Sequence, residues 1–343
     1  MKVSICYSFT EIPGHKDLED KIPIFALPLF TEWMKIEKGY SSFWFYGETN
    51  PSSQWLIPFS VMKKGGFKKG MFLTQTLSLG EENDILEENL FLETIIETIR
   101  KKKLCDWIQQ PPNWAIFRTF PDNAIFIPFG TYIVDLESRT EEELFQRIKT
   151  NSRGDIRKAQ LLNTTLERGQ DCLEDLYMLI KNTSDRAHIS YPDFQQFKLF
   201  HDHFNHNIKS YVAYYQGIPQ SGVVFIYTSW CIYAMYAGSV KNPSRGSTLM
   251  VYWEIAIKGA RAENIRMFDF VGALIDPEPG SADDRIQKFK ESFGTELKKG
   301  YIWKYIISKP KYQVYLWYLK ILSIYRGHGP IRVDIIDRIL HEK

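Results

Sequence analysis

The chain has 343 residues, of which 44% are hydrophobic, and a formal net charge of +2 from 43 basic against 41 acidic side chains. That length exceeds one comfortable core and points to two domains of about 150 residues each. The near-balance of charge excludes a molecule-wide field for a polyanion, so an anionic partner has to be read from local clusters.

Cys6, Cys105, Cys172 and Cys231 stand far apart and form no C-x-x-C pair, which argues against a zinc site or a disulfide framework and for a reducing, cytoplasmic setting. No His/Asp/Glu spacing argues for another metal, and no cofactor follows from the sequence.

In chain order, the opening "MKVSICYSFTEIPGHKD" lacks the apolar core and small-residue cleavage site of a signal peptide. "SSFWFYGE", "QWLIPFSVM" and "GMFLTQTLSL" read as strands. "EENDILEENLFLETIIETIRKKK" reads as an amphipathic helix with Ile85, Leu86, Leu90, Ile95 and Ile96 inward, acids early and lysines late as the macrodipole prefers. "LCDWIQ" is the following strand. Next, "TYIVDLESRTEEELFQRIKTNSRGDIRKAQLLN" forms a hinge, with Thr140 and Glu143 in a capping box for a helix starting near Glu141.

In the second half, "IKSYVAYYQG", "SGVVFIYT" and "CIYAMYAGS" predict three successive strands. The run "GVVFIYTSWCIYAMYAG" is the most membrane-like, but Thr228 and Ser229 interrupt it, and it reads as two buried strands around a tight turn. Leu249, Trp253, Ala256, Ile257 and Ala260 then fall at helical spacing behind a Ser247 cap, and "IRMFDFVG" is a fourth strand. Strand, strand, strand, helix, strand thus occurs in both halves without detectable identity, an architectural repeat. "KPKYQVYLWYLKILSIY" is a helix with an aromatic stripe, and "IRVDIIDRILHEK" a last short one.

Two basic clusters stand out. From Arg285 to Lys320 nine basic residues face two acidic ones, and from Arg147 to Arg168 six face two. One such cluster is as readily a solvated face as a site; two in one half favour a phosphate-rich ligand.

The segments "VDLESRTEEELFQRIKTNSRGDIRKAQ", "YAMYAGSVKNPSRGSTLMVYWEIAIKGARAENIRMFDFVG" and "FKESFGTELKKGYIWKYIISKPKY" resemble, in this order, the Fem family, the aminoacyltransferases of peptidoglycan cross-bridge formation. The resemblance covers most of residues 132–312. It implies an α+β (mixed α/β) fold of two tandem GNAT-like domains, each a mixed, mostly antiparallel sheet flanked by helices. The domains are expected at 1–135 and 136–309, with residues 310–343 packing back on the first. No heptad hairpin is present, so the chain resembles the armless members.

The resemblance also implies an activity: transfer of an aminoacyl group from aminoacyl-tRNA to an amine of a nucleotide- or lipid-linked peptidoglycan precursor, with peripheral membrane contact as a further expectation. The "FK" motif maps onto Phe289 and Lys290, at the reacting ester. Arg186, Tyr191 and Tyr236 are implied for the acceptor's phosphates and sugar, by bidentate and stacking contacts respectively. Acyl transfer from an ester needs stabilisation of a tetrahedral oxyanion, and a lysine ammonium at Lys290 can supply it. Asp269, between Phe268 and Phe270 on a strand, points its carboxylate opposite to the two rings and is a candidate for positioning the attacking amine.

Two features depart from expectation. Gly154-Asp155 stands where basic or aromatic residues are usual, and "SVKNPSRGS" lacks the glycine cradle that a coenzyme A pyrophosphate requires. Two alternatives therefore stay open: a GNAT-fold acyltransferase taking an acyl thioester to an amino sugar or amino acid, and a non-catalytic binder of an envelope precursor.

Overall fold

The computed structural model describes residues 1–80, 84–325 and 334–341. The chain divides into two compact units. Unit 1 holds residues 1–18, 25–130 and 299–343, and unit 2 holds 19–24 and 131–298. The divisions at 130/131 and 298/299 both fall inside strands.

Unit 1 is built on the antiparallel succession β1 (Lys2–Cys6), β2 (Ser41–Asn50), β3 (Ser53–Lys64) and β4 (Phe67–Phe72), with α1 (Pro28–Lys38) between β1 and β2. A two-residue β5 (Leu77–Ser78) pairs with β3. Helix α2 (Ile85–Lys102), N-capped by Asp84, then leads to β6 (Trp107–Ile108), which lies parallel to β4. The strand Lys2–Cys6, only five residues long and not read from the sequence, completes the edge of this sheet.

Helix α2 lies in a different rotation from the expected one. Ile85, Leu86 and Leu90 are exposed, and Phe91, Leu92, Ile95, Ile96 and Ile99 are buried against Phe45, Trp55, Ile57 and Phe59. Gly47 explains the choice, because a Cβ there would stand 2.5 Å from the Phe91 ring. The sheet offers a glycine hollow to the largest side chain of the stripe, and the helix rotates to fill it. Beside this core, buried Glu88 accepts from Thr76 and pairs with Arg118.

Unit 2 repeats the order. Strand β7 (Ile125–Asp135), whose last residues belong here, precedes α3 (Glu141–Arg147), α4 (Thr150–Leu161), β8 (Thr165–Arg168), α5 (Leu173–Arg186) and α6 (Phe194–Phe204). The Thr140–Glu143 capping box of α3 is present as read from the sequence. Strands β8, β9 (Ile208–Tyr215), β10 (Ile218–Tyr227) and β11 (Cys231–Ser239) are successively antiparallel. After the helical run α7 (Ser247–Val251), a π-helical stretch Tyr252–Gly259 and α8 (Ala260–Ala262), β12 (Met267–Asp269) lies parallel to β11 and antiparallel to β7. The N-cap of that run is Gly246 at φ +81°, one residue before the expected Ser247, because a Cβ at 246 would collide with the Asp155 carbonyl.

In each unit a strand, helix and antiparallel strands are followed by a helix and a strand parallel to the last. This is the α+β, tandem GNAT-like architecture. The described chain continues with the two-residue β13 (Ala273–Leu274), α9 (Ala282–Glu291) and β14 (Glu296–Ile306). No described helix is long and apolar enough to cross a membrane.

Candidate active site

The site grows from a sharp turn after β12. Val271 and Gly272 both have positive φ, +56° and +72°. For a β-branched residue this is a strained conformation that its surroundings must enforce. Asp269 enforces it from one side: its Oδ1 accepts the Val271 N–H at 2.7 Å and the Thr131 hydroxyl at 2.5 Å. Lys290 enforces it from the other, its Nζ donating to the carbonyls of Val271, at 2.7 Å, and Gly272.

Helix α9 is held over this turn by further bonds. Ser281 caps it by accepting from the Asp284 N–H, Gln287 donates to the Leu274 carbonyl at 2.6 Å, and the Tyr132 hydroxyl donates to Glu291 at 2.9 Å. Gly294, at φ +69°, ends the helix against the Arg147 backbone, with no room for a Cβ.

Electrostatics separate the lysines of "KFK". Lys290 is 8% exposed, and burial lowers its ammonium to about pKa 8, with Asp269 and Asp283 pulling it back up. Lys288, two residues earlier, is 65% exposed and pairs with Asp284. Burial likewise raises the Asp269 carboxyl above its ordinary range, against the hydrogen bonds from Thr131 and Val271 and the charges of Lys290 and Lys298. Lys290 and Asp269 make no direct ion pair; the backbone of Val271 links them, its N–H bonded to Asp269 and its carbonyl to Lys290.

Phe289 faces the other way. Its ring packs with Tyr252, Phe270 and Phe293 on the core of the unit, so this side chain anchors the helix that carries Lys290.

Arg186, Tyr191 and Tyr236 form a second group beside β11. The Arg186 guanidinium donates to the Ser239 carbonyl at 2.7 Å, and the Tyr191 ring meets that of Tyr236 edge-on, centroids 5.4 Å apart. The Tyr191 hydroxyl is buried without a hydrogen-bond partner among the described residues. Gly238 lets α5 approach this end of β11, since a Cβ there would lie 2.4 Å from the Leu179–Ile180 backbone.

The two groups are related through the sheet. Asp269 is paired in register with Tyr233 at the last rung of the β11–β12 ladder, and Met235 is bulged out between Ala234 and Tyr236. The parallel strands part beyond that rung, and the bulge bends β11. Lys290 and Asp269 thus stand at the end of β12, while Tyr236 and Arg186 stand along the free end of β11.

Much of the basic character has ordinary partners. Arg147 pairs with Glu296, Lys149 with Glu291, and Lys311 with Asp106. Lys304, 2% exposed, is locked between Asp334 and Asp337. Asp155 pairs with Arg245 at 2.6 Å, so the unusual Gly154-Asp155 step secures the loop before α7. A cleft of about 530 Å³ lined by Lys149, Thr150, Asn151, Ser152, Lys288 and Glu291 lies between the start of α4 and the outer side of α9. Lys290 does not line it.

Thr131, Val271, Gly272, Gln287 and Glu291 escaped the sequence reading. The "VG" step is a weak turn signal; Thr131 gives none, since it meets Asp269 across 138 positions.

The chain thus has a tandem GNAT-like fold in which two parallel strands part beside a buried lysine and aspartate. Within it, residues 127–217 match the model of the FemAB family, and the resemblance read from the sequence is to that family. The crystal structure of FemX superposes with a TM-score of 0.68 at 15% identity, over 92% of this chain and 99% of that one. L-PGS from Bacillus licheniformis gives 0.47 at 14% identity, covering 83% and 93%. A tandem GNAT protein from the clavulanic acid biosynthesis pathway gives 0.47 at 10%, covering 88% and 98%. No curated relative matches the chain in sequence.

Proposed function

We propose that the protein is a Fem-like N-acyltransferase that moves an aminoacyl group from aminoacyl-tRNA to an amine of a peptidoglycan precursor. The observation that carries this reading is Lys290: a nearly buried ammonium, fixed by the Val271 and Gly272 carbonyls and lowered by burial to about pKa 8. Two of its hydrogens are engaged and the third is available to an oxyanion. In a low-dielectric setting such a preorganised charge has far more effect than in water.

The amine nitrogen attacks the ester carbonyl carbon, the ester C–O bond breaks, and the departing ribose oxygen takes a proton from Lys290, whose lowered pKa makes it a competent donor. Lys290 regains a proton as the new amide nitrogen loses one through solvent. Asp269 keeps Oδ2 outside its bonds to Thr131 and Val271 and positions the attacking amine. Arg186, Tyr191 and Tyr236 hold the acceptor's phosphates and sugar. Phe289 acts by seating α9.

The family match of residues 127–217 supports the aminoacyl donor. The loop before α7 supports it as well: its one left-handed glycine, Gly246, is packed against Asp155 and offers no cradle for a pyrophosphate. The test is to incubate the purified protein with aminoacyl-tRNA and a nucleotide-linked muropeptide and weigh the products. Addition of one amino-acid residue supports the reading. Transfer from an acyl thioester alone, or binding of the muropeptide without turnover, replaces it by one of the two alternatives.

A further inference from the structure

Helix Lys309–Tyr325 is apolar on two sides. Its inner side, with Tyr312 and Tyr315, packs on Trp107 and Phe67 of unit 1. Its outer side exposes Val314, Trp317, Tyr318 and Ile321, at 59%, 72%, 50% and 52%. These positions recur at i, i+3, i+4 and i+7 and make one continuous stripe. A helix of a water-soluble surface turns charged residues outward there; this one contains no acid and three lysines, Lys309, Lys311 and Lys320.

The stripe continues into a pocket of about 300 Å³ in the same unit, where Val314, Tyr315 and Tyr318 meet Met62, Phe67 and Trp107, with Lys64 and Lys69 among the lining. Both lysines come from the β3–β4 hairpin "MKKGGFKKG", which holds four lysines and no acid. Two cations nearby are neutralised: Lys311 pairs with Asp106, and Lys38 with Glu37. The Lys68 ammonium donates to the Lys103 carbonyl. Among the described residues Lys63, Lys64, Lys69, Lys309 and Lys320 have no acidic partner. Lys69, half withdrawn from water and facing Lys38 and Lys64, is held below the usual lysine range by burial first and by these like charges second.

An exposed Trp/Tyr/aliphatic stripe bordered by unpaired lysines is the combination that binds an anionic bilayer surface: rings and aliphatic groups enter the headgroup boundary while ammonium groups meet lipid phosphates. We infer that this face of unit 1, the outer side of helix Lys309–Tyr325 with the β3–β4 hairpin, docks the protein on a membrane rich in anionic phospholipid, without crossing it. The inference is independent of the transferase reading, since it concerns binding alone.

Sedimentation with phosphatidylcholine vesicles, with and without phosphatidylglycerol, tests it. The full chain is expected to sediment with the anionic vesicles and to be released by salt. Trp317→Ser with Ile321→Ser should weaken the partition about tenfold to a hundredfold, and Lys63→Glu with Lys64→Glu at least about tenfold on anionic vesicles only. All four side chains are exposed, so circular dichroism and Tm should match the parent; should the helix pair fail to fold, the hairpin pair decides alone. Absence of sedimentation with anionic vesicles overturns the inference, as does binding indifferent to both pairs. A dimer in analytical ultracentrifugation that Trp317→Ser dissolves, with no vesicle binding, assigns the face to a second copy of the chain and also overturns it.

Discussion

Lys290 and Asp269 hold one residue from its two sides: Asp269 accepts the N–H of Val271, and Lys290 donates to its carbonyl. The carboxylate and the ammonium are therefore coupled through a left-handed turn and not by contact. Each restrains the backbone that the other needs, which makes the pair a positional device as well as a pair of charges.

Lys290→Ala removes both. Turnover with an aminoacyl-tRNA donor should fall about 10² to 10³-fold, the scale for one preorganised oxyanion-stabilising group. Stability should fall as well, by about 1–3 kcal/mol, since the carbonyls of Val271 and Gly272 lose their donor. Lys288→Ala, at a solvated position, should change neither. Kinetics below the melting temperature, with urea titrations of all three proteins, separate these effects; equal small losses of turnover at 288 and 290 would show that Lys290 holds the turn and takes no part in the chemistry.

The lowered pKa of Lys290 fixes a pH dependence. If the charged form is the active one, kcat/KM should decline above about pH 8 and not near the ordinary lysine value of 10.5. Asp269→Asn removes a charge that raises this pKa, so its alkaline limb should move lower. For stability the sign is opposite. Below about pH 8 both folded and unfolded chains carry the proton; between there and 10.5 only the unfolded chain does, so this group's contribution rises with pH across that window. A pH–rate profile and denaturation at several pH values check both.

The Tyr191 hydroxyl is buried without a partner among the described residues, a condition that costs stability unless a ligand supplies one. Tyr191→Phe should leave the ligand-free protein equally stable or more stable by about 1 kcal/mol, while KM for the acceptor rises. An unchanged KM would place this ring in the wall and remove its hydroxyl from acceptor binding.

Gly238→Ala should be costly at a distance from Lys290. The added methyl must push α5 off β11, an overpacking effect of about 1–3 kcal/mol, and Arg186 at the end of α5 should lose its hold on Ser239. The expected result is a lower Tm and a higher acceptor KM with kcat nearly intact. A large loss of kcat at unchanged KM would show that the two groups are not separable.

Lys304 is the contrasting lysine, at 2% exposure between Asp334 and Asp337. Lys304→Ala breaks a buried network, expected to cost about 3–5 kcal/mol in urea denaturation, with turnover per folded molecule unchanged. A loss of turnover without destabilisation would place Lys304 in the chemistry.

Strands β2, β3, β4, β6 and β9 to β12, the Thr140–Glu143 cap and the helix ending in "KKK" were legible because each is written in a short window, as alternation, as a 3.6-residue stripe or as a pair of capping residues. Which side of α2 is buried was not, since its apolar residues fit more than one rotation and Gly47, on β2, selects the one with Phe91 inward. The same holds for "KFK". Residues two apart on a helix point to opposite sides, so the sequence by itself determined that one of Lys288 and Lys290 could be buried, and the resemblance favoured the second. Only tertiary structure decided it, by bringing the Val271 and Gly272 carbonyls of the strained turn after β12 and Thr131 from β7 to one place. Periodicity is a property of neighbours along the chain, whereas a buried charge exists only where distant backbone atoms converge to satisfy it.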